Sequence, residues 1–173
     1  MMLQRLFTGN RRYRAGLVIA VLLLLTFTVA CSQPQPDPAA QAALEEKAQV
    51  EKNKEIAVAF FNMIFNEHKV AESFELYADP NYIQHNPYAA TGAQPAIDFL
   101  GPYLEQNPEA RAEIKRVIAE GDLVAIHNNP KMNAEDRGRA VVDIFRLENG
   151  KVVEHWDAVQ DVPEKSLNDN TMF

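Results

Sequence analysis

The chain has 173 residues, 47% of them hydrophobic, which is enough for one domain with a real core but not comfortably for two. Its formal charge is −7, and because residues 1 to 30 hold four arginines and no acid, the remainder stands at −11. That acidic balance excludes nucleic acid, or an anionic membrane gripped through a basic surface, as a partner.

The N-terminus is basic through Arg14, an apolar run follows from Leu17 to Ala30, and a small residue precedes Cys31. This is the order of an export signal, and the run is short for a bilayer span of about 20 residues. Cys31 is the sole cysteine, so no internal disulfide exists. Thr28-Val29-Ala30-Cys31 resembles a bacterial lipobox, which implies cleavage before a lipidated Cys31; Thr28 departs from the leucine usual at that position. The alternative is an uncleaved N-terminal anchor. Both place the folded part outside the cytoplasm, tethered to the cell-envelope membrane.

Residues 32–43, rich in Pro, Gln and Ala, read as an extended linker. A long helix is expected from about Leu44, with Ile56, Phe60 and Ile64 beside Ala57, Phe61 and Phe65 in a wide apolar stripe. A shorter helix is expected from Val70 to Ala78, ended by Asp79-Pro80. The segment Asn81-Tyr82-Ile83-Gln84-His85-Asn86-Pro87 fits neither helical nor strand periodicity and reads as a polar, aromatic loop. Gly92 to Gln106 reads as a third helix, kinked or split at Gly101-Pro102.

Beyond Asn107-Pro108 the period changes to that of strands. Ala112 to Glu120 and Leu123 to Asn128 alternate about a Gly121-Asp122 turn, with a bulge near Lys115-Arg116 where the phase slips. His127 falls on the side of Leu123 and Ala125, and that side is expected to carry Asp143 as well. The stretch Val141 to Gln160 then reads as a hairpin around Asn149-Gly150. With Glu148-Asn149-Gly150 as a three-residue loop, Asp143 stands opposite His155 and Val141 opposite Asp157, and these polar groups share a face with Phe145 and Val153. Arg146, Glu154 and Trp156 take the other face, where Arg146 and Glu154 can pair. A two-residue turn would instead set Asp143 beside Trp156 and turn His155 and Asp157 away, since a slip of one residue exchanges faces. The three-residue loop is the expectation.

Helices followed by antiparallel strands make an α+β order. Tyr-Ile-Gln-His-Asn-Pro at 82–87, Arg-Val-Ile-Ala-Glu-Gly-Asp at 116–122, Asp-Ile-Phe-Arg at 143–146 and Gly-Lys-Val-Val-Glu-His-Trp-Asp at 150–157 resemble the SnoaL-like polyketide cyclase group; so does the terminal Asn-Asp-Asn-Thr-Met-Phe. The resemblance implies a cone-shaped α+β barrel of the nuclear transport factor 2-like superfamily, a curved antiparallel sheet wrapped around three N-terminal helices with a deep pocket. It divides the chain into a signal peptide at 1–30, an anchored linker and helix lead-in at 31–49, the domain at 50–163 and a tail at 164–173.

Polyketide cyclases of this group close rings by intramolecular aldol condensation without metal or cofactor, using an aspartate as acid and base. By position in the motif that aspartate is Asp157 or Asp143, with His127, His155 and His85 as polar neighbours and Tyr82, Asn86, Phe145 and Phe61 as pocket residues. No cofactor and no metal is implied, and the partner is a small hydrophobic carbonyl compound. Members often carry an aromatic residue and a Gly-Asp pair in the loop after the His127 strand, where this chain has Asn-Asn-Pro-Lys-Met-Asn-Ala-Glu-Asp-Arg-Gly at 128–138, which implies a different pocket mouth. Two readings of function follow, an acid-base cyclase, lyase or isomerase and a non-catalytic envelope lipoprotein that binds an apolar ligand or a protein. An outward-facing Trp156 would suit a homodimer.

Overall fold

Helix α1 (Pro38–Phe65) opens the part of the chain that the structure, a computed structural model, describes, residues 37–173. The expected signal at 1–30, Cys31 and the linker up to residue 36 lie outside the described residues. Among the described helices none is long and apolar enough to cross a membrane. The helix starts well before Leu44, which corrects the reading of residues 38–43 as linker: the Asp37 carboxylate accepts from the Ala39 N–H at 3.0 Å and Pro38 sits in the first turn. Asp-Pro supplies the cap and a pre-set first φ, and the following alanines and glutamines favour helix. Residues 37–49 are exposed throughout, so packing holds only the second half. There Ala57, Phe60, Phe61 and Ile64 are buried, as the stripe requires.

Helix α2 (Val70–Tyr77) crosses α1, with Phe74 edge-on to Phe60 at 5.0 Å and the Ser73 hydroxyl donating to the Phe60 carbonyl at 3.0 Å. The chain then enters strand β1 (Ala78–Gln84), where the sequence reading expected a loop. Helix α3 (Ala93–Gln106) follows as one helix with Pro102 inside it, so it is not split at Gly101-Pro102. Gly101 has no Cβ to clash with the proline ring, which removes much of the usual obstacle to helix before proline.

Strands β2 (Arg111–Glu120), β3 (Leu123–Lys131), β4 (Arg139–Glu148) and β5 (Lys151–Asp161) complete a five-stranded sheet of order β1-β5-β4-β3-β2. All pairings are antiparallel except β1 with β5, which is parallel. The α+β class stands, with the refinement that β1 lies between α2 and α3 in sequence and adds a parallel edge. Val124, Ile126, Phe145, Leu147 and Val152 form the sheet side of the core against α1. Each large apolar side chain so buried contributes about 1.5–3 kcal/mol.

Two surplus residues bend the sheet. In β2, Ile114 pairs with Asn128 and Arg116 with His127, which leaves Lys115 as the expected bulge. In β5 the surplus residue is Val153, because Leu147 pairs with Val152 and Arg146 with Glu154. The connection between β4 and β5 is the two-residue turn, with Glu148 paired to Lys151 and positive φ at Asn149 (52°) and Gly150 (76°). The three-residue loop is therefore overturned. Asp143 stands opposite Asp157, Phe145 opposite His155 and Val141 opposite Val159. The expected grouping of Asp143, Phe145, His155 and Asp157 nevertheless survives, because the Val153 bulge shifts the phase of β5 back by one residue.

Candidate active site

The concave face of the sheet, α1, α2 and α3 enclose a cavity of about 820 Å³. This lies within the range of small-molecule pockets. Its walls are aromatic: Phe74 packs edge-on to Tyr82 at 5.5 Å and Phe60 to Phe145 at 5.7 Å. The His155 ring lies stacked at 5.0 Å from Phe145 and at 6.4 Å from Tyr82. Phe61, Tyr82, Asn86, Phe145, Asp143, His155 and Asp157 all line it.

At the depth of the cavity the polar groups form one network. His155 Nε2 lies 2.8 Å from Asp143 Oδ1, with the two side chains 10% and 9% exposed. Asn128 Nδ2 donates to Asp143 Oδ2 at 2.6 Å, and His155 Nδ1 lies 3.0 Å from Gln84 Oε1. Gln84 Oε1 also accepts from the Asn86 backbone N–H at 2.9 Å, while Gln84 Nε2 donates to the Tyr82 hydroxyl at 3.2 Å. Asn86 Nδ2 donates to Asp157 Oδ2 at 2.7 Å, and Asn86 Oδ1 accepts from the Tyr88 N–H at 2.9 Å.

These contacts fix the protons. Gln84 Oε1 faces a backbone donor and can only accept, so His155 Nδ1 carries a hydrogen. The Nε2···Oδ1 contact needs a second one. The Asp143–His155 pair is consequently neutral overall, whether that proton resides on nitrogen or on oxygen. Asp157 accepts only from Asn86, at Oδ2, and its Oδ1 accepts no hydrogen bond among the described residues. Burial pushes the Tyr82 phenol well above the ordinary tyrosine range, and the carboxylates of Asp143 and Asp157 push it further. Tyr82 therefore keeps its proton, which has no acceptor among the described residues.

The remaining expected site residues lie elsewhere. His127 does sit beside Leu123 and Ala125, but that side is the outer face: the histidine pairs with Arg116 in the β2–β3 ladder and Val142 in the β3–β4 ladder. Its Nδ1 accepts from Arg116 Nη1 at 2.9 Å, and the Phe173 ring stacks on it at 5.6 Å. Partial burial, then Arg116 and Lys115, hold its imidazole below the ordinary histidine value. His85 also points outward, stacked on Trp156 at 4.6 Å with Nε2 2.7 Å from Glu154 Oε1. Arg146 Nε donates to Glu154 Oε2 at 2.7 Å, the expected pair. The terminal tail lies against the domain through Phe173, whose ring also sits under Lys115 Nζ at 5.2 Å.

Sequence reasoning missed Gln84 and Asn128. Asn128 shares the alternation of Val124 and Ile126, and a polar residue continuing a buried row was the available signal. Gln84 was hidden because β1 looked like a loop. Asp143, His155 and Asp157 each offer a ligand atom within 4.8 Å of the others. A cation there would have to displace the proton between Asp143 and His155.

The same arrangement of helices and curved sheet is found in solved structures. A protein from Kribbella flavida provisionally described as a ketosteroid isomerase superposes with a TM-score of 0.56 at 18% identity, covering 69% of this chain and 86% of its own. A SnoaL-like protein of unknown function from Burkholderia thailandensis gives 0.54 at 17%, covering 64% and 95%. A protein from Bacillus cereus provisionally described as a polyketide cyclase gives 0.54 at 18%, covering 62% and 74%. At these identities the likeness establishes the fold, that of nuclear transport factor 2-like domains. The SnoaL-like domain family matches residues 57–155, over half of the chain. The protein belongs to that family. No curated protein matches its sequence.

Proposed function

We propose that the protein is an enzyme that performs cofactor-independent acid-base chemistry, of the aldol cyclase, lyase or isomerase type, on a hydrophobic carbonyl compound. The observation that carries this reading is the unengaged Oδ1 of Asp157, facing an apolar-walled cavity beside the neutral Asp143–His155 pair. Asp157 takes the proton from the carbon next to the substrate carbonyl. The Tyr82 hydroxyl donates to the enolate oxygen as charge develops there. The enolate carbon then attacks a second carbonyl, closing a carbon–carbon bond while the new alkoxide takes the proton back from Asp157, or the enolate recovers that proton at a different carbon. Asp143 and His155 position Tyr82 and Asn86 through Gln84, and Asn86 aims Asp157. General acid-base catalysis of this kind is worth about 10² to 10⁴ in rate. Against a library of hydrophobic ketones and keto esters, Asp157→Asn should lose about that factor while folding normally; parental activity in that variant rejects the assignment.

A second reading, an envelope lipoprotein that binds an apolar ligand without turnover, draws on the completeness of the network: among the described residues no buried side-chain nitrogen or oxygen lacks a partner. It predicts ligand binding in Asp157→Asn unchanged and no library member converted. In both readings the N-terminal sequence supports export and lipid attachment at Cys31, tested by palmitate labelling that disappears in Cys31→Ala. Trp156 on the outer face supports a homodimer, and sedimentation showing monomer alone removes it.

A further inference from the structure

The cavity has two electrically different ends. At its depth stand Asp143 and Asp157, cross-strand partners on β4 and β5. One pair further along the same face come Val141 and Val159, and one pair beyond that Arg139 and Asp161, all lining the cavity. Lys131 and Arg111, partners at the adjoining ends of β3 and β2, line the same mouth. In a chain with 24 acids against 17 lysines and arginines, this mouth reverses the balance.

Among the described residues, none of Arg111, Lys131 and Arg139 forms a salt bridge. Arg111 is turned to the carbonyls of Pro108 and Ala110 and to the ring of His68. The mouth has two acids. Asp136 accepts from the backbone N–H groups of Met132 and Gly138, which hold its carboxyl below the ordinary range, and the nearby charges of Lys131 and Arg139 lower it further without forming an ion pair. Asp161 is exposed and stands across from Arg139 without an ion pair.

We infer that the ligand of this pocket is an elongated apolar molecule ending in an anionic group, bound with the anion between Arg139 and Lys131 and the apolar body reaching the Asp157 row. The two rows are four residues apart on each strand, about 13 Å at about 3.3 Å per residue. That spacing sets the distance between anion and reacting end. Reversed entry is opposed by the Asp157 carboxylate. The inference rests on the pocket of the proposed function and not on turnover there.

The test titrates the folded unit Pro36–Phe173 with two fluorescent probes that differ only by the charged group, anilinonaphthalene sulfonate and N-phenylnaphthylamine. Residues 36–173 form one compact unit with its own hydrophobic core, and the SnoaL-like family match at 57–155 lies wholly inside it, which supports its use in isolation. The sulfonate should bind more tightly at low salt by about tenfold, the combined effect of two exposed ion pairs, and lose that advantage in high salt. Arg139→Gln with Lys131→Gln should bring it to the level of the neutral probe and leave the neutral probe unchanged. Lys47→Gln, which removes a charge from the exposed start of α1, should change neither. Equal affinity of the two probes, equal weakening of both in the double variant, or no binding of either overturns the inference. Asp157→Asn separates it from the catalytic reading, since that variant should keep the preference for the sulfonate even if turnover proves absent.

Discussion

Each face of the β4–β5 hairpin holds the carboxylate of a histidine–carboxylate pair, and their surroundings differ. Inside, His155 and Asp143 meet at 2.8 Å among amide side chains and aromatic rings, with the Asp157 carboxylate close by and no cationic side chain bonded to them. Outside, His85 and Glu154 meet at 2.7 Å, with the histidine 40% exposed and Arg146 holding the other carboxylate oxygen. Nearly equal distances thus serve different ends. The outer carboxylate has a permanent cation in Arg146, so its charge is settled and its energy modest. The inner pair has none, and must share a proton to remain buried.

The sharpest break between the faces is catalytic: the loss of about 10² to 10⁴ expected for Asp157→Asn should have no counterpart in Glu154→Gln, which should turn over carbonyl substrates like the parent. Stability should divide the faces next. Asp143→Ala strands His155 and Asn128 without their shared acceptor and should cost about 3–5 kcal/mol in urea unfolding, whereas Glu154→Ala should cost about 0–1 kcal/mol. Gln84→Leu leaves the His155 Nδ1–H unsatisfied and should cost about 1–3 kcal/mol. A cost no larger than that of Glu154→Ala would mean that water replaces the amide and that the site is wetter than its walls imply.

The smallest contrast appears in acid. The hydrogen bond from Arg146, and after it that from His85, hold the Glu154 carboxyl below its ordinary range. A carboxyl lowered on folding contributes stability that is complete above its unfolded value and disappears as pH falls through the folded one. Glu154→Gln should therefore be slightly less stable than the parent near neutrality, with the gap closing in acid. A gap that persists at low pH would place the loss in packing against Trp156 instead of in charge.

The helices and the polar face of the hairpin were legible because each is a local property: the stripe of α1 and the alternation of β4 need no knowledge of the partner. Register was not legible. The turn residues Asn149-Gly150 pointed to a two-residue connection, and that connection is present, but the grouping of Asp143 with His155 and Asp157 argued against it so long as β5 was taken as regular. Nothing local in Lys151-Val152-Val153-Glu154 announces a bulge, since both valines suit a strand. β1 was hidden for a related reason. Its pairing partner lies some seventy residues away in sequence, between Gln84 and His155, and Asp79-Pro80 makes its opening look like punctuation. His127 shows a third limit: alternation sorts a strand into two sides but does not tell which side the helices will cover.

Val153 resembles a single inserted letter that restores a reading frame. The two-residue turn by itself would present Trp156 and Glu154 to the cavity, and the surplus residue puts every later side chain of β5 back in its sense. Removing Val153 would leave all the observed partners able to pair, Arg146 with Glu154 and Phe145 with His155, so the grammar of the site would survive. What would be lost is the bend that a surplus residue forces on its strand. With Lys115 doing the same in β2, two residues that contribute no chemistry make a vessel out of a sheet that would otherwise lie flatter.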